Sequence, residues 1–343
     1  MGLFEVSGST EVTSPEKTSK TPTKVESKSD AKKSSQLIWL ASDSSHLLSE
    51  ELITKLETKN LSASMVTGLE GCHTRWIFES LIASGVIEQT LDSPAQKGTI
   101  FHKVMEKFYS LPKEKRSKKT LGLAMKYVAK NIYPELRSYP DVQEWLKTAV
   151  KGYLKLENID DVNIAEIKGK PGLEQFVSIV FPESSRKALG FVDRIDVLSD
   201  GKYRVVDYKS GAKAKHFKGK PGPGVEGWPE QRQQIFYAML MENQGLQVES
   251  SELYYPLAGE RVPAILDDKN LRVQVKKDFE KTESVVDTLA ATNEIGYSPD
   301  FLCAWCPLAK VCPQATTPRG GKPAAAYESQ PDSHELEEFV KIG

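Results

Sequence analysis

Three consecutive runs between residues 174 and 211, EQFVSIVF, ALGFVDRIDVLSD and KYRVVDYKSG, alternate apolar with polar residues and are rich in Val, Ile, Phe and Tyr. That is the pattern of half-buried strands. On either side the apolar residues recur at helical spacing instead. The chain is therefore read as an α/β fold, with successive strands between helical segments. SDGK, between the second and third runs, has hairpin chemistry and predicts that these two are antiparallel neighbours. SELYYPLAG, from residue 251, reads as one further strand.

The helical segments are read from spacing and punctuation. Residues 45–58 space Leu and Ile at helical intervals. Residues 62–86 open on capping serines and carry Met, Leu, Trp, Ile and Phe on a helical period, with glycine breaks near 68 and 71 that leave Cys72 at a break. In 97–110 (KGTIFHKVMEKFYS), Phe101, Met105 and Phe108 form one stripe, while His102 and Glu106 share a neighbouring face. The stretch 117–157 is helical in pattern, with Leu121, Met125, Val128, Trp145, Val150, Tyr153 and Leu154 as core candidates. WPEQRQQIFYAMLMEN (228–243) predicts an amphipathic helix with Pro in its first turn, and 271–296 fits another helix.

Two of the strands carry charges where an apolar run leaves little room for them. Asp193 lies in GFVDRID, and Asp207 with Lys209 lies in VVDYKSG. Side chains alternate with period two, so Asp207 and Lys209 share a face, and strand register can bring Asp193 beside them. Inward charges on strands are costly unless paired or metal-bound. Two carboxylates suit a hard cation such as Mg²⁺ or Mn²⁺ that retains open positions for water and phosphate oxygens, and a nearby ammonium can stabilise charge developing on phosphorus. The plainer alternative is that Asp193 with Arg194, and Asp207 with Lys209, are surface charges at strand ends.

Together GTIFH, GFVDRID, VVDYKSG and QQIFY resemble the nuclease domain of the RecB and AddB family, and the related iron–sulfur exonucleases of CRISPR adaptation systems, over residues 62 to 315. The resemblance implies a PD-(D/E)XK restriction-endonuclease-like core, a central mixed β-sheet flanked by helices. It implies Asp193 and Asp207 as metal ligands, Lys209 as the catalytic lysine, His102 as a metal-binding histidine, and Gln233 with Tyr237 as a QxxxY motif on the helix that follows. Glu174 matches a further family acid. Physically, Glu106 one turn from His102 could orient it, and Gln233 with Tyr237, at i and i+4, could touch DNA or brace Lys209. Ser210 departs from the threonine common after the lysine, and Val192 from the Pro-Asp of the family's name pattern.

CAWCPLAKVC gives C-x2-C-x5-C at Cys303, Cys306 and Cys312, and Cys72 is the remaining cysteine of four. The C-x2-C spacing alone serves zinc, redox pairs and iron–sulfur clusters. One early and three late cysteines resemble the iron–sulfur staple of AddB-type and CRISPR-associated nucleases, which implies a 4Fe–4S cluster tying the early helix to the C-terminal segment. A structural zinc on the same thiolates is the rival.

Lys213, Lys215, His216, Lys218 and Lys220 lie in the glycine-rich stretch 211–227, read as a mobile basic loop able to track phosphates or as a solvated loop with no such task. The expected organisation is a disordered tail over 1–35, poor in large apolar residues, a nuclease domain over 36–315 holding the four cysteines, and a flexible tail over 316–343 ending in the short acidic piece HELEEFV. The net charge of −1 advertises no nucleic acid by itself, but local clusters matter more than the total. No run of eighteen apolar residues and no apolar leader is present, so the expectations are no membrane partner and a cytoplasmic location. Lacking GxxxxGK[ST], the chain has no motor loop, which points to action alone or with a separate helicase or recombinase. The expected activity is a metal-dependent exonuclease on single-stranded DNA ends. The alternatives are a catalytically silent DNA-end-binding accessory module and a zinc-stapled structure-specific endonuclease.

Overall fold

The computed structural model describes residues 48, 50–82, 90–182, 184–293, 295, 296 and 303. The expected tails over 1–35 and 316–343 lie outside these residues, as do Cys306 and Cys312. Helices α1 (Glu50–Glu57), α2 (Ala63–Gly71) and α3 (His73–Ile77) are followed by a π-helical turn, then by α4 (Pro94–Tyr109), α5 (Lys118–Tyr127) and α6 (Pro140–Leu156). A small ribbon of β1 (Glu166–Ile167) and β2 (Lys170–Pro171) precedes β3 (Leu173–Val180), β4 (Lys187–Val197) and β5 (Tyr203–Tyr208). Then come α7 (Trp228–Glu242), β6 (Val248–Tyr255), β7 (Glu260–Pro263) and α8 (Lys269–Thr292).

The main sheet has the order β3-β4-β5-β6-β7. All its pairings are antiparallel except β5 with β6, which is parallel. A parallel neighbour needs a crossover, and α7 supplies it. The three expected strands and the β4–β5 hairpin form as read. The fourth starts three residues earlier than read, at Val248, and gains a hairpin partner, β7, that the sequence reading lacked.

Helices cover both faces. One core packs α1, α2, α3, α7 and α8 with Val177, Val192, Ile195 and Val205 of the sheet. The other packs α4, α5 and α6 with Leu173, Val206, Tyr208 and Tyr254. Two expectations need correction. Helix α7 is not amphipathic: eleven of its fifteen residues are buried, because it lies between the sheet and helices α2 and α8. The helical pattern over 117–157 is interrupted by a π turn and a 3₁₀ turn before α6, where Pro134 and Pro140 each start a new helical piece instead of continuing one.

Strand faces switch at one place. Leu173 belongs to the α4 side and Val177 to the α7 side, although a regular strand would put both on one face. Glu174 lies between them with φ of 46°. On β4, Val192 and Ile195 both face the α7 side although three residues apart. The register is unbroken from Leu173↔Arg194 to Gln175↔Val192, and only the Glu174–Asp193 step between them forms no ladder pair, so the irregularity sits at Glu174 and Asp193 together.

Candidate active site

The charged residues of the site come from four elements: His102 from α4, Glu174 from β3, Asp193 from β4, and Asp207 with Lys209 from the end of β5. Arg194 of β4 pairs with Val206 of β5, so Asp193 and Asp207 stand opposite each other one step further along the hairpin. Both are buried. Asp193 Oδ2 accepts the Tyr208 amide at 2.7 Å. Lys209 Nζ lies 2.9 Å from Asp207 Oδ2 and donates to Gln233 Oε1 at 2.7 Å. Gln233 Nε2 donates in turn to the Tyr237 hydroxyl at 2.9 Å. Gln233 and Tyr237 thus brace Lys209, one of the two tasks read from their spacing. The Tyr237 ring lies close over Gly190 of β4, where an added Cβ would come within 2.6 Å of Tyr237 Cε1.

Helix α4 brings His102 to the same place. It is capped by Ser93, has Pro94 in its first turn, and is anchored by the buried Phe101, Met105 and Phe108 expected as its stripe. His102 Nδ1 lies 3.4 Å from Asp193 Oδ1, and its Nε2 is 2.9 Å from the Tyr208 carbonyl. Glu106 does not orient His102; it pairs with Lys103 one turn along the helix, where an ammonium is closer than the imidazole. Ligand atoms of His102, Glu174 and Asp193 all lie within 4.8 Å of one another. Asp207 stands outside that trio and against Lys209.

The electrostatics record a crowd of carboxyls. Burial and the neighbouring Asp193 push Glu174 up to about 7. Burial works against a charged His102, but the Asp193 carboxylate outweighs it and raises the imidazole to about 9. Burial, with Asp193 adding to it, raises Asp207 against the pull of Lys209. Lys209 is held charged despite its own burial, chiefly by Asp207. A divalent cation fits this donor set. It would meet two carboxylates and an imidazole whose Nδ1 is left for it once Nε2–H is given to the Tyr208 carbonyl. Its charge would also favour the ionised form of Glu174, which burial and Asp193 together disfavour.

The basic loop is more pinned than read. Lys215 pairs with Glu230 at 2.7 Å, Lys218 with Glu226 at 3.4 Å and His216 with Glu260 at 3.0 Å, and Phe217 packs on Trp228 with ring centroids 5.6 Å apart. Neighbouring carboxylates, two of them on the same loop and the helix that follows it and Glu260 from β7, reach these side chains first. Lys213 and Lys220 are exposed. Cys72 stands at the junction of α2 and α3, at the expected break, and is half-buried like Cys303.

Sequence reasoning offered Arg194 only as a surface charge beside Asp193, whereas it is fully buried beneath the hairpin. It donates to the hydroxyls of Tyr153 and Tyr208 at 2.8 and 2.9 Å, and to Glu157 and Asp196 at 2.6 and 3.0 Å. Tyr208 therefore links Arg194 to the site, since its amide holds Asp193 and its carbonyl holds His102. The signal was available: an arginine within an apolar strand demands buried counter-charges.

Residues 60–313 match the sequence profile of the PD-(D/E)XK nuclease superfamily. No curated protein matches the chain. Among solved structures, SSO0001 is 15% identical over 83% of this chain and 94% of that one, with a TM-score of 0.36. A protein of Eubacterium rectale provisionally designated an exonuclease is 11% identical over 76% of this chain and 92% of that one, with a TM-score of 0.42. No helix among the described residues is long and apolar enough to cross a membrane.

Proposed function

The chain belongs to the PD-(D/E)XK nuclease superfamily, and from that premise we propose that it is a metal-dependent exonuclease acting on single-stranded DNA ends. The observation that carries the reading is the meeting of His102, Glu174 and Asp193 beside a lysine clamped between Asp207 and Gln233. Mg²⁺ or Mn²⁺ bound there supplies an activated water and neutralises charge at the scissile phosphate. His102, Glu174 and Asp193 would hold it, with Asp207 completing the acidic wall.

The protein's own residues do the rest. Lys209 keeps its proton because Asp207 faces it, so it presents a fixed positive charge to a phosphate oxygen. Gln233 and Tyr237 fix where that charge points. The Tyr208 backbone holds Asp193 and His102 in one frame, so neither must reorganise when substrate arrives. Exposed Lys213 and Lys220 supply sequence-independent phosphate contacts along the strand.

The RecB/AddB resemblance adds a 4Fe–4S cluster on Cys72, Cys303, Cys306 and Cys312 as a structural staple, and a role in DNA recombination, repair or replication beside a separate helicase or recombinase. C-x2-C-x5-C with one distant early cysteine supports the staple. Iron and acid-labile sulfide in anaerobically purified protein test it; zinc at one per chain with neither would replace it.

The activity is tested with end-labelled linear and circular single-stranded DNA, Mg²⁺ or Mn²⁺, and Lys209→Ala beside wild type. Degradation of linear DNA by wild type alone upholds the proposal. Cutting of circles reassigns the enzyme as an endonuclease, and binding without cleavage by either protein makes it an accessory module.

A further inference from the structure

Phe176 and Phe191 are directly opposite each other on β3 and β4. Their ring centroids are 5.3 Å apart at an interplanar angle of 58°. They are 56% and 55% exposed, and Val180, further along β3, is 53% exposed. Large aromatics normally bury most of their area, so an open cross-strand pair calls for an explanation.

Their place in the fold gives one. Val192 points into the α7 core, so Phe191 beside it lies on the opposite face of β4, and Asp193, at the irregularity, turns to that same α4 side, where it meets His102. Two residues of strand rise put the Phe191 side chain about 7 Å from Asp193 along that face. Phe176 stands the same two residues from Glu174 on the neighbouring strand. The aromatic pair is therefore the continuation of the sheet face that carries two of the three metal donors.

Resting on the nuclease reading above, we propose that Phe176 and Phe191 form a stacking platform for unpaired nucleobases flanking the scissile phosphate, which makes single-stranded DNA the strand this site receives. Any strand whose phosphate sits at His102, Glu174 and Asp193 must run its neighbouring nucleotides over the adjoining surface, and on this side that surface is two aromatic rings. Every base offers a π-face, so such a platform grips without reading sequence. In a duplex those faces are already stacked on neighbouring pairs, which leaves unpaired strands as the ligand. A second copy of the chain is a poorer occupant. A ring of this kind buries about 150–250 Å² when fully covered, so two half-exposed rings fall far short of the roughly 800 Å² per partner of a stable interface.

The test is fluorescence anisotropy with labelled oligothymidylate and an abasic oligonucleotide of the same length, using Ca²⁺ in place of the cleaving metal. Wild type, Phe191→Ala, the Phe176→Ala/Phe191→Ala double variant and Phe191→Trp are compared. Each alanine is expected to weaken oligothymidylate binding between about fivefold and 150-fold. Phe191→Trp should restore it, and all four proteins should bind the abasic strand equally. The surface position of both rings predicts unchanged circular dichroism, which separates loss of stacking from loss of fold.

Equal oligothymidylate affinity for wild type and the double variant overturns the platform, as does a parallel loss on the abasic strand. A wild-type dimer that Phe191→Ala converts to monomer in sedimentation assigns the pair to a second copy and overturns it too. Hydrolysis is scored separately. Cleavage by wild type with no effect of the phenylalanines sinks the platform alone; ring-dependent binding with no cleavage in Mg²⁺ or Mn²⁺ sinks the nuclease reading alone.

Discussion

His102 Nδ1 faces Asp193 Oδ1 at 3.4 Å while its Nε2 rests on the Tyr208 carbonyl. Without metal the imidazole is held protonated by that carboxylate, up to about 9, and Glu174 holds a proton up to about 7. A metal ion needs a neutral imidazole and an ionised carboxyl, so binding must release protons. We predict that Mn²⁺ affinity rises with pH from 6 to 9, and that calorimetry in buffers of different ionisation enthalpy detects the released protons. Affinity that is flat across this window would remove both groups from the metal site.

The same shifts have a consequence for stability. Both groups have folded-state values above their ordinary ones, so each favours the protonated folded form, and its contribution is complete below the ordinary value and lost as pH climbs through the raised one. From Glu174 this loss runs between about 4.5 and 7, and from His102 between about 6.5 and 9. Metal-free protein should therefore melt at progressively lower temperature from pH 5 to pH 9. Mg²⁺ should restore most at the alkaline end. A melting temperature that rises over that range without metal would contradict the assignment.

Lys209 touches Asp207 on one side and Gln233 on the other. Lys209→Met should lower kcat by about 100-fold or more, the scale of losing one preorganised charge at a reacting centre. It should leave Mn²⁺ binding largely in place, because Lys209 is not among the donors. Gln233→Ala frees Lys209 without removing it. We expect a loss of about tenfold in kcat with little change in KM, since the interaction it weakens acts on the transition state. Tyr237→Phe removes only the acceptor of the Gln233 amide, a hydrogen bond worth about 1 kcal/mol, and should cost less than Gln233→Ala.

Gly190 is required by the ring of Tyr237. An alanine there would place Cβ 2.6 Å from Cε1, so the ring must move, and the chain from Tyr237 through Gln233 to Lys209 moves with it. Gly190→Ala should cost about 1–3 kcal/mol in chemical denaturation, the range for an overpacked core. Activity should fall further than stability explains, seen as a reduced kcat at temperatures where the variant is fully folded.

Much of this site was legible because β-strands advertise themselves by alternation. The facing of Asp193 and Asp207, and the shared face of Asp207 and Lys209, follow from period two and one hairpin. Spacing on a single helix likewise anticipated Gln233 and Tyr237 acting together. Distant relationships were not legible from local pattern. That α4 would set His102 against Asp193 came from a resemblance, and local spacing offered Glu106 as its partner, which the nearer Lys103 captures. The left-handed Glu174 breaks the strand rule on which the reading depended. Strand β7, four residues long, carries too few side chains to show a period. Helix α7 hid its burial because Gln231, Arg232 and Gln234, polar in sequence, are buried in the fold. Arg232 is paired there with Glu70 and Asp278.

Arg194 offers the sharpest test of how the frame beneath the site is held. It has no exposure and meets Glu157 and Asp196 with its guanidinium, both carboxylates being buried themselves. Burial alone would raise Glu157, yet Arg194 and Arg204 hold it below its ordinary range. Truncating one member of such a cluster leaves uncompensated charge in the interior, which costs about 3–5 kcal/mol. Arg194→Met should therefore destabilise by that amount, and Arg194→Lys should recover only part, because one ammonium cannot reproduce donors to Tyr153, Tyr208, Glu157 and Asp196 together. Arg204 stays against both carboxylates and balances one of them, so adding Glu157→Gln alone to Arg194→Met should win back stability by removing the one charge left uncompensated. It should not win back activity, because Tyr208, whose amide and carbonyl hold Asp193 and His102, would still lack its anchor. Restored stability with restored cleavage would show that the frame around Tyr208 stands without Arg194.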